Sequence, residues 1–344
     1  MTMKIIHVGV GIRGSHWLQF VAEHADFESA ACVDTDTKAL SEAKSQLGEK
    51  CGYYEDLDEA LKNSDASAVL IASPSKLHAE HAIAALSSGL SVMIEKPLAV
   101  DISQAESILE AADKYGRPVI VAENYRYWPS ERTVRQWVSE ERLGEISNVT
   151  LVDRRNMPSH TEGPWLAKIQ YPQLGEIAIH HFDSLRAMLL REATSISAHA
   201  WNPKNSDYAH GACTAATIQM GSARIMYMGT LTSPRFSFSL RLEGTEGELW
   251  TNRKYVFWRP RGKRFFSYVK NIAVPPGDEK KYPKGGTTAL LDSLRDAALH
   301  GKRAETSADD NLGTLAMVEA ARISDAENRE VNLSEVLTDR APTS

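Results

Sequence analysis

A glycine-rich stretch near the start of the chain has the spacing of a dinucleotide-binding loop. Gly9, Gly11 and Gly14 form a Gly-x-Gly-x-x-Gly motif, and Asp34 follows twenty residues after Gly14. In such a loop the first glycine permits a tight turn, the second lets backbone N–H groups approach a pyrophosphate, and the third lets a helix pack closely on a strand. An acidic residue at the end of the next strand accepts hydrogen bonds from ribose hydroxyls. The spacing predicts a nicotinamide dinucleotide site, and a glycine turn without a ligand is the alternative.

The residues at and after Asp34 bear on which dinucleotide is bound. An acid at this position repels a ribose 2′-phosphate, and the residues that follow, Thr35, Asp36 and Thr37, include no arginine to pair with one. NAD is therefore favoured over NADP. Lys38 is close enough in sequence to keep NADP open as the alternative.

The elements around this motif alternate between strands and helices. Apolar runs and turn residues predict strands at 4–10, 29–34, 66–72, 91–94 and 119–122, with helices at 16–23, 39–47, 77–88 and 103–114. Strands that alternate with helices form parallel sheets with right-handed crossovers. The sequence thus predicts an N-terminal α/β domain over residues 1–123, with the doubly wound parallel sheet of a Rossmann fold.

The second half of the chain has a different pattern. Short β-rich runs separated by turns lie at 146–154, 194–201, 213–220, 223–231, 236–243, 247–251 and 255–259, and helical patterns follow at 287–300 and 310–328. This pattern predicts an α+β domain over residues 124–344 with a mostly antiparallel open sheet. The run Ile225-Met226-Tyr227-Met228 is apolar on both faces, which indicates a subunit interface on the outer face.

Composition excludes several classes of protein. The chain has 344 residues and a net charge of −6, and its basic residues are scattered, which argues against nucleic acid as a partner. The basic stretch from Arg253 to Arg264 fits a solvated hairpin, with an RNA-binding strand as the alternative. There is no signal peptide pattern and no apolar run long enough to span a bilayer, so we expect a cytoplasmic protein without a membrane partner. Cys32, Cys51 and Cys213 lack zinc-ligand spacing.

Two segments of the first half resemble a known family. The sequence from Ala72 to His78 reads Ala-Ser-Pro-Ser-Lys-Leu-His, and Glu95-Lys96-Pro97 follows. These segments, together with 179–183 and 243–247, resemble the Gfo/Idh/MocA family of glucose-fructose oxidoreductase, inositol dehydrogenase and MocA-like proteins. The resemblance implies a two-domain oxidoreductase whose open sheet covers the nicotinamide. It also implies association into homodimers or tetramers through the outer side of that sheet.

The glycine motif and the resemblance together nominate the cofactor-binding residues. They are Gly9, Gly11, Ile12, Arg13, Gly14, Asp34, Ser73, Pro74, His78, Glu95, Lys96 and Asn124.

The resemblance also implies which residues act in proton transfer. In the family pattern the lysine of Glu-Lys-Pro reaches the substrate hydroxyl, and a histidine three residues before an aspartate serves as acid or base; here these are Lys96 and His180, with Asp183 as the aspartate. Because the ordinary pKa of histidine is about 6.5, His180 needs less adjustment than a lysine to act as a base. We assign proton abstraction to His180 and polarisation of the same oxygen to Lys96, and the opposite assignment stays open. The alternative for Lys96 is a solvated surface lysine, and the alternative for His180 is a core histidine. Because His181 is adjacent to His180, it is the other histidine that could take the catalytic role.

Glu176 departs from the family pattern, which usually has an aspartate four residues before the histidine. On an α-helix Glu176, His180 and Asp183 share one face, where a carboxylate orients the imidazole or binds a substrate hydroxyl. An ordinary helix salt bridge is the alternative.

Lys96 and polar and aromatic residues of the predicted second domain suit a polyol substrate. The predicted substrate-binding residues are Lys96, Arg126, Arg154, Trp165, Tyr171, Glu176 and His180. No metal is predicted, because neither His78 with His81 nor His180 and His181 with Glu176 has a complete zinc spacing.

The sequence as a whole predicts an NAD-dependent dehydrogenase that acts on CH–OH groups, namely a secondary or anomeric hydroxyl of a sugar, cyclitol or related polyol. One alternative is an enzyme whose tightly bound NAD serves transiently in elimination, epimerisation or glycoside cleavage. Another is an NAD-binding sensor without catalysis.

Overall fold

The computed structural model describes residues 2–160 and 166–337. Within these ranges the chain forms two compact units. The first comprises the residues up to Asn124 together with Pro275–Leu315. The second comprises Tyr125–Val274 and the residues from Ala316 onward.

The first unit is built on a parallel sheet. Its strands are β1 (Met3–Val8), β2 (Phe27–Val33), β3 (Gly52–Tyr54), β4 (Ala68–Ile71), β5 (Ser91–Ile94) and β6 (Val119–Val121). They are hydrogen-bonded in the order β3-β2-β1-β4-β5-β6, and every pairing is parallel. This order is that of a doubly wound dinucleotide-binding sheet, so the predicted Rossmann fold is confirmed.

Helices follow the strands of this sheet. They are α1 (Ile12–Glu23), α2 (Thr37–Leu47), α3 (Leu57–Asn63), α4 (His78–Ser87), α5 (Ile102–Tyr115) and, later in the chain, α8 (Thr287–His300). Side chains cap α2 and α5, where Asp36 and Asp101 accept backbone N–H groups at the first turn. The first turn of α1 has no side-chain cap, because Gly11 stands at the capping position. The N–H groups at the start of α1 are therefore available to an anion.

The second unit is built on a mixed, mostly antiparallel sheet. Its strands are β7 (Ile146–Asn156), β8 (Ser195–Trp201), β9 (Cys213–Met220), β10 (Ala223–Thr230), β11 (Thr232–Gly244), β12 (Gly247–Thr251), β13 (Val256–Pro260), β14 (Ser267–Val269) and β15 (Val331–Asn332). The order is β14-β13-β12-β11-β7-β10-β9-β8-β15. Among the described strands of this second sheet, only the pairing of β7 with β10 is parallel. The predicted mostly antiparallel sheet is confirmed.

Three further helices belong wholly or partly to the second unit. They are α6 (Pro129–Ser139), α7 (Ile179–Leu189) and α9 (Ala308–Glu327), of which α9 lies in the second unit from Ala316 onward. All eleven residues of α7 are buried, and its Phe182 lies in the same hydrophobic core as Leu151 and Leu240 of the sheet. The candidate residue His180 therefore lies on a helix that is buried along its whole length.

The division of the chain differs from the predicted boundaries of 1–123 and 124–344. Residues 275–315 belong to the first unit, where Arg295 pairs with Asp26 at 2.6 Å and Lys284 pairs with Glu23. The chain therefore returns to the first unit after leaving it. Local sequence patterns do not contain this information, because it depends on which distant surfaces pack together.

Candidate functional site

The three glycines of the predicted dinucleotide loop have different surroundings. Gly9 has φ +83°, and a Cβ there would lie 2.6 Å from the backbone nitrogen of Ser73. A Cβ on Gly14 would collide with the carbonyl oxygen of Gly9. A Cβ on Gly11 would meet open space within 4 Å. Gly9 and Gly14 are thus required by packing, whereas the absence of a side chain at Gly11 leaves room for a ligand at the start of α1.

Asp34 lies directly after β2 and is bound to the glycine loop. One carboxylate oxygen accepts the backbone N–H of Val10 at 2.8 Å, and the other accepts that of Asp36 at 2.9 Å. A carboxylate has about four acceptor positions, so capacity remains for ribose hydroxyls. With the uncapped start of α1 and the open space at Gly11, these residues fit a dinucleotide. Gly9, Gly11, Ile12 and Asp34 would hold it.

Glu95 is the centre of a buried polar cluster beside this loop. It pairs with Arg13, accepts the Trp17 indole N–H at 2.6 Å and accepts the backbone N–H of Lys96 at 3.2 Å. Burial by itself raises the pKa of Glu95, but Arg13, Trp17 and Lys96 outweigh burial and hold the pKa below its ordinary value. Glu95 therefore joins α1 to the Glu-Lys-Pro segment. Trp17 is not among the residues that the sequence predicts for this site.

His78 connects the two segments on which the family resemblance was based. Its Nδ1 lies 2.8 Å from the carbonyl oxygen of Pro97, and its Nε2 lies 2.9 Å from that of Ser73. Pro74 precedes the short turn that leads into α4. Burial lowers the pKa of His78. His78 thus links Ser73 to Pro97, the residue that follows Lys96.

Asn124 and Ile12 complete the predicted cofactor set of the first unit. The Asn124 side-chain amide donates to the carbonyl oxygen of Gly285 at 2.7 Å and is buried. Ile12 is 65% exposed at the start of α1. Asn124 therefore anchors the returning segment 275–315, while Ile12 is accessible from solvent.

His180 lies on α7 under an aromatic ring. The Tyr125 ring stacks on the imidazole with centroids 4.3 Å apart and planes at 16°. The neighbouring residue Arg126 forms a two-point ion pair with Asp183 at 2.6 and 2.7 Å. His180, Arg126 and Asp183 are 8%, 5% and 0% exposed. Arg126, predicted as a substrate contact, is therefore engaged with the aspartate that follows His180.

His181 occupies a different environment from His180. Its Nε2 lies 3.2 Å from Asp153, and its Nδ1 lies 3.1 Å from the Tyr227 hydroxyl. Burial lowers the pKa of His181 to about 4, even though Asp153 opposes this shift. Asp153 itself has a pKa well below the ordinary value, because His181 and Arg155 outweigh the effect of its burial. His181 is thus the neutral core histidine of the pair.

The adjacent arginines Arg154 and Arg155 point to opposite faces of β7, as strand geometry requires. Arg155 donates to Asp153 at 2.8 Å and to the Tyr125 hydroxyl at 3.1 Å, whereas Arg154 is exposed. The sequence selected Arg154 as a substrate contact, but Arg155 is the arginine on the His180 side.

Glu176 precedes α7 in a turn that is not α-helical. Residues Gln173–Ala178 form a π-helix, in which the N–H of Ile179 donates to the carbonyl of Leu174, five residues earlier. The α-helix predicted at Glu176 is therefore replaced by a wider turn, and the role of Glu176 beside His180 stays a prediction.

The remaining predicted substrate contacts lie in and beside the segment before α7. Tyr171 has φ +58°, and its ring contacts His210 edge-on at 5.0 Å. Burial and a hydrogen bond to Asp325 raise the pKa of Tyr171. Trp165 lies outside the described residues. The substrate roles of Tyr171 and Trp165 stay predictions.

Two family models match this chain over most of its length. Residues 3–123 match the model described as oxidoreductase family, NAD-binding Rossmann fold, and residues 132–250 match the GFO/IDH/MocA C-terminal domain. The chain belongs to the Gfo/Idh/MocA family. The predicted resemblance is thereby confirmed, and the first unit is an NAD-binding Rossmann domain of an oxidoreductase family.

Known Gfo/Idh/MocA proteins include distant relatives of this chain. An inositol 2-dehydrogenase from Arthrobacter sp. (strain FB24) is 28% identical over 197 residues, which cover 57% of this chain and 56% of that protein. A scyllo-inositol 2-dehydrogenase (NADP(+)) from Bacillus subtilis (strain 168) is 23% identical, with 96% of each chain covered. Several curated relatives are matched over less than two thirds of their own length.

Solved structures of the family share this fold. An oxidoreductase from Agrobacterium radiobacter, in complex with NAD+, L-tartaric acid and magnesium, has a TM-score of 0.88 to this chain. The two are 19% identical, and the match covers 98% of this chain and 100% of the other. At this identity the likeness is one of fold.

Within residues 2–160 and 166–337, no group of three histidine, cysteine, aspartate or glutamate residues is arranged to hold a metal ion. Among the helices of the same residues, none is long and apolar enough to cross a membrane.

Proposed function

We propose that this chain is an NAD-dependent dehydrogenase that oxidises a secondary or anomeric hydroxyl of a sugar, cyclitol or related polyol. The observation that supports it most directly is the glycine loop, where the uncapped start of α1, the open space at Gly11 and the Asp34 carboxylate together suit a dinucleotide. Membership of an oxidoreductase family and the names of the inositol dehydrogenases among its relatives support the substrate class.

A nicotinamide dinucleotide held by Gly9, Gly11, Ile12 and Asp34 would supply the acceptor for a hydride from the carbinol carbon. The protein must then take the hydroxyl proton from the same substrate. We assign this proton to His180, which a buried helix and a stacked ring hold in place. Lys96 polarises the hydroxyl oxygen, and Glu176 orients the substrate or the imidazole. The reverse assignment, with Lys96 as the base, is the competing form of the same mechanism.

The cofactor is proposed to be NAD rather than NADP. Asp34 presents a negative charge at the position expected to meet the ribose, and this charge repels a 2′-phosphate. The NADP(+)-linked relative from Bacillus subtilis makes a direct comparison of the two cofactors necessary.

A homo-oligomer is proposed through the outer face of the second sheet. Ile225 and Tyr227 of β10 are buried, whereas Met226 and Met228 are 48% and 36% exposed on the opposite face. Met228 pairs across the sheet with Val152 of β7. A second copy of the chain could bury this exposed apolar stripe in a subunit interface.

The test is a screen of inositols, aldoses, branched sugars and sugar acids, each with NAD and with NADP. The absorbance of the reduced cofactor reports the reaction. With the best substrate, Lys96→Ala and His180→Asn are each expected to lower kcat by about 100-fold or more, the usual size of a lost acid–base group. Lys62→Ala and His199→Asn remove an exposed lysine and an exposed histidine and serve as controls.

The outcomes separate the competing functions. If the protein keeps NAD through gel filtration and converts substrate without producing reduced cofactor, it is an enzyme that uses NAD transiently. That result would overturn the proposed dehydrogenase activity. NAD binding with no reaction across the panel would indicate a sensor and overturn the proposal. The pH dependence of kcat/KM in the Lys96 and His180 variants identifies the base, because its loss removes the acidic limb.

A further inference from the structure

The Tyr125 ring is placed to control the imidazole of His180. The two rings are nearly parallel, with centroids 4.3 Å apart, and both residues are almost fully buried. The Tyr125 ring also stacks on Trp128, with centroids 4.0 Å apart, and the guanidinium of Arg253 lies 4.5 Å from its centre. Such close packing leaves the Tyr125 ring little freedom to turn, so the plane of the His180 imidazole is restricted as well.

The Tyr125 hydroxyl is held by a second contact. Arg155 donates to it at 3.1 Å through Nη2 and donates to Asp153 at 2.8 Å through Nε. Burial opposes the charge on Arg155, but Tyr125 and Asp153 outweigh burial and raise its pKa above the ordinary value. Arg155 therefore stays charged and fixes the Tyr125 ring to strand β7.

The backbone beside Tyr125 is also attached to the helix that carries His180. Arg126 forms a two-point ion pair with Asp183, three residues after His180 on α7. Ring stacking and this ion pair thus join adjacent residues of one short segment to one turn of α7. The ion pair sets the distance between segment and helix, and Arg155 sets the direction of the ring.

We infer that Tyr125 and Arg155 are positioning residues for His180, with the tyrosine ring holding the imidazole in the orientation needed for proton transfer. The inference rests on the proposed function, in which His180 accepts the proton of the substrate hydroxyl. An aromatic face attracts a cation, so stacking also favours the imidazolium that forms when the proton arrives. Neither residue needs to touch the substrate for this role.

The experiment measures the titration of His180 by NMR in the full chain with isotopically labelled histidine. The His180→Asn variant assigns the resonance, and His181 is separated because its pKa is about 4. Tyr125→Leu removes the ring and is expected to lower the His180 pKa by about half a unit, the size of a modest cation–π contribution. Tyr125→Phe keeps the ring and is expected to restore most of that shift. Tyr255→Leu, on a partly exposed tyrosine of the same unit, is the control.

A second variant, Arg155→Lys, tests the inference even if Tyr125→Leu does not fold. Arg155→Lys keeps the positive charge but cannot hold the Tyr125 hydroxyl and Asp153 with one planar group. We expect kcat to fall about tenfold with KM little changed. A His180 pKa and a kcat equal to those of the wild type in the folded variants would overturn the inference. If the His180→Asn variant keeps full turnover, His180 does not accept the proton and the inference is overturned, whereas the proposed function fails only if the wild type converts no substrate of the panel.

Discussion

Asp183 accepts two hydrogen bonds from Arg126, at 2.6 and 2.7 Å, and both side chains are almost entirely removed from solvent. Removing one partner of such a pair leaves the other charge buried without compensation. We predict that Asp183→Asn lowers the free energy of unfolding by about 3–5 kcal/mol. Urea denaturation measures this loss.

The exposed pair of Arg329 with Glu327 is the matched control, since its side chains are 42% and 54% exposed. Glu327→Gln is expected to cost less than about 1 kcal/mol. Equal losses in Asp183→Asn and Glu327→Gln would contradict the prediction.

Gly9 and Gly11 are expected to respond differently to the same substitution. Gly9→Ala places a Cβ 2.6 Å from the Ser73 backbone nitrogen at a left-handed φ, so we predict a loss of stability of about 1–3 kcal/mol or more. Gly11→Ala has φ −65° and open space around the new methyl, so thermal stability should be unchanged. Its NAD affinity should nevertheless fall at least about tenfold, because the methyl occupies the pyrophosphate approach. Melting curves of both variants measure thermal stability, and calorimetric titration measures their affinity for NAD. An unaltered NAD affinity in Gly11→Ala would contradict the proposed dinucleotide site.

Asp34 is expected to set the preference for NAD. Asp34→Asn keeps an acceptor for the Val10 N–H but removes the charge, so the affinity ratio of NAD to NADP should fall about tenfold, or about 1.4 kcal/mol. Asp36→Asn changes a nearby carboxylate that caps α2 and should leave this ratio unchanged. Titration of each variant with both cofactors gives the ratio. If Asp36→Asn changes it as much as Asp34→Asn, general electrostatics rather than ribose contact sets the preference.

His7 is expected to make the protein less stable in acid. It is fully buried in β1 beside the Ser29 hydroxyl, and burial lowers its pKa to about 3. Between this value and the ordinary pKa of about 6.5, the unfolded chain binds a proton that the folded chain does not, so stability falls as pH falls. From pH 7 to pH 5 the wild type should lose about 2 kcal/mol more than His7→Gln. Urea denaturation of the wild type and of His7→Gln at pH 7 and pH 5 measures these losses. Equal losses of stability in the two proteins would refute the prediction.

Met226 and Met228 are expected to mediate self-association. Their exposed side chains form part of an apolar stripe, and burying a charge inside a subunit interface is costly. Met226→Glu with Met228→Glu should therefore shift the protein to a monomer, measured by light scattering after gel filtration. Leu299→Glu, at an exposed position of α8, is the control. A monomeric wild type, or an unchanged mass in the double variant, would exclude this interface.

Local sequence determined the elements whose hydrogen bonds close over short distances. The strand at 91–94, the strands at 213–220 and 247–251 and the helix at 287–300 have the predicted limits. The glycine motif and Asp34 also followed from sequence, because a turn, a strand and a helix N-terminus are set by neighbouring residues. The elements β3 and α3 were missed because only Leu57 and Ala60 among their residues are buried, so neither has the apolar run or face that predicts a strand or a helix.

Tertiary structure decided the contacts that depend on packing between distant segments. It selected Arg155 over Arg154, since a strand alternates but does not reveal which face is covered. It placed Tyr125 on His180 and Trp17 on Glu95, and it returned 275–315 to the first unit. It also widened the turn at Glu176 into a π-helix. These outcomes depend on the free energy of burying side chains against surfaces remote in sequence, and no local pattern encodes that quantity.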